Sequence, residues 1–178
     1  MSDREDLLNE IKTKAVVHGD FVLSSGKRAS WYVDLRRVTL DGAVAPLVGR
    51  VMLDETLGLD YEAVGGLTLG ADPVATAMLH AAAARGQRLD AFVVRKADKT
   101  HGLQRRIEGP DVAGRRVLAV EDTSTTGGSV LTAVEALRAA GAEVVAVATI
   151  LERGAAERIA AEGLEYRHPY DVADLDVT

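Results

Sequence analysis

Residues 117–129 read Val-Leu-Ala-Val-Glu-Asp-Thr-Ser-Thr-Thr-Gly-Gly-Ser, an apolar run that passes through two acids into a stretch rich in hydroxyls and glycine. Each part has a chemical use. Backbone N–H groups at a helix start, beside residues as small as Gly127 and Gly128, can hold a phosphate, and the hydroxyls of Thr123, Ser124, Thr125, Thr126 and Ser129 donate further bonds. Glu121 and Asp122 would repel a bare anion, so they make sense facing ribose hydroxyls or a hydrated magnesium ion. A sugar phosphate satisfies both halves. A Walker loop needs a lysine before its Ser/Thr and this stretch has none, nor does the chain contain Gly-x-Gly-x-x-Gly. A hydroxyl-capped strand–helix connection would use Thr, Ser and Gly equally well, but it leaves the paired acids without a purpose.

A second segment carries the opposite charge. Between Val93 and Pro110 stand Arg95, Lys96, Lys99, Arg105 and Arg106 against only Asp98 and Glu108, inside a chain of net charge −6. Such a local reversal suits a small polyanionic ligand, while the overall sign speaks against general affinity for nucleic acid. A solvated basic turn has the same composition; the position directly after an apolar run argues for the ligand.

These residues need elements to position them, and the apolar spacing supplies a regular alternation. Ser2 to Ala15 reads as a helix with capping-box spacing at Ser2 and Glu5. Phe21–Leu23 and Trp31–Leu35 read as strands of a hairpin around Gly26. Asp41 is placed to cap a helix whose apolar positions are Val44, Leu47, Val48, Val51 and Met52. A strand over Ala63–Gly66, a helix opening at Asp72-Pro73 and a strand over Ala91–Arg95 follow, then a strand over Arg116–Val120, a helix over Gly128–Ala140 and a strand over Val144–Leu151. Strands apolar on both faces belong inside a parallel sheet, so the expected fold is α/β: a doubly wound, mainly parallel sheet flanked by helices, with ligand sites outside the strands' carboxyl ends. One domain over residues 1–178 is expected, with residues 1–40 forming the N-terminal helix and hairpin and 41–178 the α/β core.

Composition narrows the function classes. The chain has no cysteine, which removes thiolate metal sites and cysteine nucleophiles and fits a reducing cytoplasm. Its first residues are charged where a signal peptide is apolar, and no run approaches the ~20 apolar residues of a membrane span, so no membrane role is expected.

Val117 to Ser129 resembles, over its whole length, the phosphoribosyl pyrophosphate motif of the type I phosphoribosyltransferases. The resemblance implies that Glu121 and Asp122 hold the ribose hydroxyls and that Thr123, Ser124, Thr125, Thr126, Gly127, Gly128 and Ser129 wrap the 5-phosphate. Arg95-Lys96-Ala97-Asp98-Lys99-Thr100-His101-Gly102 is similar to the catalytic loop of the orotate phosphoribosyltransferases, which implies pyrophosphate binding by Arg95, Lys96, Lys99 and His101, partly from the neighbouring subunit of a homodimer. Residues 21–34 resemble that family's hood over orotate, with Tyr32 and Val33 at its paired aromatic positions; Thr125 matches an orotate contact, and Arg153 an arginine that clamps the orotate carboxylate. A surface ion pair is the alternative for Arg153, and plain packing on the sheet for the hairpin. The resemblance further implies the substrates orotate and phosphoribosyl pyrophosphate, a place in pyrimidine biosynthesis, and Mg2+ held mainly by substrate oxygens and water without a dedicated protein site.

The chain departs from the family in two places: Ser24 and Gly70 stand where many members have lysines, so cationic charge near the pyrophosphate must come from elsewhere. A purine phosphoribosyltransferase would share residues 117–129 but not the basic loop or Arg153, and a regulator that senses phosphoribosyl pyrophosphate would need a nucleic-acid face. A non-catalytic nucleotide-binding scaffold is the third competitor. The tail from Tyr170 to Thr178, with Asp171, Asp174 and Asp176, reads as a solvated acidic terminus.

Overall fold

The computed structural model describes residues 2–22, 26–96 and 106–177. Its first helix, α1 (Asp3–Glu10), begins with the expected reciprocal cap: Ser2 Oγ accepts from the Glu5 N–H while the Glu5 carboxylate accepts from the Ser2 N–H at 2.7 Å. The segment continues as a π-helical turn, Ile11–Ala15, and passes directly into β1 (Val16–Val22). β1 pairs antiparallel with β2 (Arg28–Val33), so the hairpin forms, but both strands start earlier than their β-prone runs suggest. Val16 and Val17 lie across from Val33 and Tyr32, which draws β1 back toward the helix. β2 stops at Val33 because the Asp34 carboxylate accepts from the Arg36 N–H and turns the chain into the short helix α2 (Arg36–Thr39). Leu23, Ser24 and Ser25 lie outside the described residues.

Asp41 caps a turn and not a helix: its carboxylate accepts from the Ala43 N–H, and α3 (Ala45–Glu55) starts later with Pro46 in its first turn. The alternating part of the chain follows as β3 (Ala63–Leu67), α4 (Ala71–Ala84), β4 (Asp90–Val94), β5 (Ile107–Glu108), β6 (Arg116–Ser124), α5 (Gly128–Ala139), β7 (Glu143–Glu152), α6 (Ala156–Ala161), β8 (Glu165–Arg167) and β9 (Tyr170–Asp171). The sheet order is β5-β4-β3-β6-β7-β8, with β9 also on β7; β5 is antiparallel to β4 and the other pairs are parallel.

Successive residues of β6 feed opposite layers. Leu118 and Val120 pack with Val48, Met52 and Met78 of α3 and α4, whereas Val117 and Ala119 pack with Val130, Val134 and Ile159 of α5 and α6. Both faces are therefore covered, which is why the strand is an unbroken apolar run. The doubly wound, mainly parallel α/β sheet is the one the alternation predicts. Chain order reverses between β3, which pairs with β4 on one side, and β6 on its other side. Loops leaving the carboxyl ends of those two strands diverge and open a crevice.

In the C-terminal segment Asp171, Asp174 and Asp176 are exposed, as a solvated acidic terminus requires, but the segment is also anchored to the core. Tyr170 and Leu175 are 2% and 3% exposed, and both belong to the core under α1. The Tyr170 hydroxyl donates to the Arg4 carbonyl at 2.6 Å, and Asp171 and Asp174 cap the 3-10 turn Val172–Leu175 reciprocally. Tyr170 before the acids and Leu175 among them are pulled inward, while the acids stay at the surface. Tyr170→Ala is expected to cost roughly 3 kcal/mol or more, the loss typical of truncating a buried aromatic. Urea unfolding measures it; a change within about 0.5 kcal/mol, as at a surface position, would show that Tyr170 does not anchor the segment.

Candidate active site

A cavity of about 330 Å3 opens at the crevice between β3 and β6, and Arg36, Thr68, Lys96, Asp122, Thr123 and Ser129 are among its lining residues. β6 runs further than its apolar part, because Glu121, Thr123 and Ser124 remain in register with Thr149, Leu151 and Glu152 of β7. The acids are thus presented by a strand and not by a loop. Thr123 Oγ1 donates to the Leu151 carbonyl at 3.0 Å, and the buried Ser124 Oγ accepts from the Gly127 N–H at 3.1 Å. Gly127, at φ 74 and ψ −4, turns the chain into α5 without a side-chain cap, leaving Thr125 and Thr126 exposed beside that helix start. Arg158 donates to the Thr126 carbonyl at 3.0 Å and holds the turn from behind.

Glu121 is only 6% exposed, and its carboxyl is pushed up to about 8, first by burial and then by the charge of Asp122 beside it, with Asp72 adding to the effect. Thr68 Oγ1 donates to Asp72 Oδ2 at 2.7 Å, which holds that third carboxylate at the start of α4. Gly70 approaches the pair most closely: a Cβ there would stand 2.0 Å from Glu121 Oε1 and 2.9 Å from Asp122 Oδ1. A side chain at this position would require the carboxylate end of Glu121 to move aside.

The basic segment is only partly described. Lys96 lines the cavity. Arg95 does not; its guanidinium lies 3.8 Å from Glu108, and its buried Nη1 finds no hydrogen-bond partner among the described residues. Lys99 and His101 lie outside the described residues. The feet of the segment are tied together, with the Arg95 N–H donating to the Arg106 carbonyl at 2.8 Å and Arg106 Nε donating to the Arg95 carbonyl at 3.1 Å.

On the hairpin side, Val33 is buried at the cavity wall and Tyr32 packs edge-on to Phe21 with ring centroids 5.2 Å apart. Arg153 stands after β7 as expected, its N–H donating to the Ser124 carbonyl at 3.0 Å. Its half-buried guanidinium lies 5.9 Å over the Trp31 ring; burial lowers its pKa while Asp122 opposes that. Glu152 shapes the turn that carries it by accepting from the Gly154 and Ala156 N–H groups. Sequence reasoning placed Trp31 in the hood without a partner and missed Arg36, Thr68 and Glu152, which no local motif marks.

Between pH about 4.5 and about 8 the folded chain keeps a Glu121 proton that the unfolded chain gives up, so the free protein loses stability as pH rises through that window and levels off above it. Glu121→Gln is expected to flatten the slope. Urea unfolding of both proteins between about pH 5 and 9 checks this, and parallel slopes would show that Glu121 is not the group responsible.

With the geometry in place, comparison with known proteins is informative. Residues 63–173 match the family described as Phosphoribosyl transferase domain. The chain is 71% identical to the orotate phosphoribosyltransferase of Streptomyces avermitilis, across 97% of this chain and 96% of that protein. It superposes on the orotate phosphoribosyltransferase of Mycobacterium tuberculosis H37Rv in complex with Fe(III) dicitrate with a TM-score of 0.90 at 56% identity, covering 98% and 99% of the two chains. The same enzyme in complex with 5-phospho-alpha-D-ribosyl 1-diphosphate gives a TM-score of 0.86 at 52% identity, with 98% and 99% covered. With a family match over most of the α/β core and full-length likeness to these relatives, the chain belongs to the phosphoribosyltransferase family, in its orotate branch.

Proposed function

We propose that the chain transfers the phosphoribosyl group of 5-phosphoribosyl 1-pyrophosphate to orotate, giving orotidine 5'-phosphate and pyrophosphate in pyrimidine biosynthesis. The observation that carries this reading is the delivery, by one strand and the helix after it, of Glu121, Asp122, Thr123 and Ser129 to a cavity that Lys96 also lines. Acids for a sugar, an uncapped helix start for a phosphate and a cation for a second anionic group meet within about 330 Å3.

Glu121 and Asp122 hold the ribose hydroxyls, and residues Thr123 to Ser129 enclose the 5-phosphate. Arg95, Lys96, Lys99 and His101 bind the pyrophosphate. Orotate lies between the hairpin at Tyr32 and Val33 and the segment bearing Thr125 and Arg153, whose guanidinium fork suits a planar carboxylate. The ring nitrogen attacks the anomeric carbon and gives up its proton to the diphosphate or water, while the diphosphate departs with the bonding electrons through a state of oxocarbenium character. The leaving group is already good, so orientation and the placing of charge supply the rate without a covalent enzyme intermediate. Mg2+ fits a site whose described donors are hard carboxylate oxygens, and Asp122 with Glu121 would face it through substrate and water; when bound, it neutralises charge on the pyrophosphate. The reaction takes place in the cytoplasm.

A homodimer with shared sites is part of this reading. A groove of about 960 Å3 runs between α3 and α4, with Leu40 and Leu69 at its lining 69% and 66% exposed. Arg36 and Leu69 border both this groove and the catalytic cavity, so a second subunit seated there reaches the reacting groups.

Loss of orotate absorbance is expected only when phosphoribosyl pyrophosphate and Mg2+ are both present, and adenine, guanine and uracil should not replace orotate. Turnover of a purine instead would overturn the assignment. Lys99→Ala and Asp122→Ala, each expected to depress turnover by orders of magnitude, should regain activity when the two inactive proteins are mixed and allowed to exchange subunits. Mixtures as inactive as their components would argue that each site is built from one chain.

A further inference from the structure

Arg36 lies in the cavity, yet none of the roles above uses it. It is the first residue of α2, set just past the end of β2, and it lines the same space as Gly70, Lys96, Glu121 and Asp122. Asp34 Oδ1 accepts from both its backbone N–H, at 3.2 Å, and its Nε, at 2.8 Å, so the base of the side chain is fixed. Among the described residues nothing hydrogen-bonds its two Nη groups, and the charge of Asp122 reaches the guanidinium.

The donor proposed above is anionic at both ends. Its 5-phosphate end belongs at the start of α5, so its diphosphate must lie on the far side of the acids, toward the loop between β3 and α4. That loop offers no cation of its own: Leu69 is apolar, and Gly70 has no side chain. The charge must arrive from a neighbouring element, and Lys96 and Arg36 are the described cations in the cavity wall. A guanidinium held by one edge presents its remaining fork to two phosphate oxygens at once, which suits a diphosphate better than a monophosphate held at a helix start. We infer that Arg36, aimed by Asp34, is a diphosphate-binding residue that supplies the positive charge Gly70 cannot.

The inference rests on the proposed donor, and its test separates the two. Binding of phosphoribosyl pyrophosphate, inorganic pyrophosphate and ribose 5-phosphate to the full-length protein is measured by titration calorimetry with Mg2+ present. Arg36→Ala and Arg36→Gln should weaken the first two by roughly 10- to 100-fold, the range for losing a charge-assisted hydrogen bond, and leave ribose 5-phosphate within about threefold. Arg36→Lys, which keeps the charge and loses the fork, should fall between these and the wild type. A structural role would move all three ligands together or lower the melting temperature without a preference. Equal affinity of wild type and both neutral variants for pyrophosphate and the donor would overturn the role of Arg36 alone. Failure of the wild type to bind the donor would overturn the proposed function with it.

Discussion

Glu121 and Asp122 stand side by side at the end of a buried strand, where one carboxylate is already costly and a second beside it raises the cost. A fold tolerates this only where the pair has work that needs it, and the surrounding residues are arranged around the same pair. Gly70 leaves free the space that the Glu121 carboxylate end occupies. Asp122 accepts from the Thr123 N–H at 2.7 Å, Glu121 from the Asp122 N–H at 3.2 Å, and the charge of Asp122 reaches both Arg36 and Arg153. Among the described residues no cation forms an ion pair with either acid, and both acids line the cavity.

The sheet makes that arrangement possible. Because β6 is hydrogen-bonded to β7 through Ser124, the acids are held by a ladder and not by a loop, while the reversal of chain order between β3 and β6 leaves the space in front of them open. The two helical layers meet on β6, whose apolar residues alternate between them, so a shift of the strand by one residue would exchange its faces and carry the acids out of place. The hairpin is fastened to this frame through Arg153 over Trp31 and through Asp34, which ends β2 and fixes Arg36 in the same step.

Much of this was legible in the residues. Parallel strands covered on both faces must be apolar throughout, so β3, β4, β6 and β7 stood out, and the acid and hydroxyl segment after β6 carried its own chemistry. The errors share one cause: pairing with distant segments. β6 extends through Ser124 because β7 lies alongside it, β1 reaches back to Val16 because β2 faces it, and Tyr170 and Leu175 anchor an otherwise exposed tail because they join the core. Arg36, the partner of Trp31 and the steric demand at Gly70 were invisible for the same reason, since each acquires its meaning from an atom far away in the chain.

The two ends of the proposed donor meet different kinds of surface. In that reading the 5-phosphate end would face backbone N–H groups and hydroxyls that belong to a strand and a helix, groups oriented before any ligand arrives. The diphosphate end would face side chains from elements outside the central strands: Arg36 on α2, and Lys96 on a segment whose feet are clasped by the mutual bonds of Arg95 and Arg106. A leaving group must be held while charge builds on it and then let go, and cations on peripheral elements can serve both ends of that process. The retained monophosphate needs no such release at the moment of transfer, and it is seated where the framework is continuous with the core.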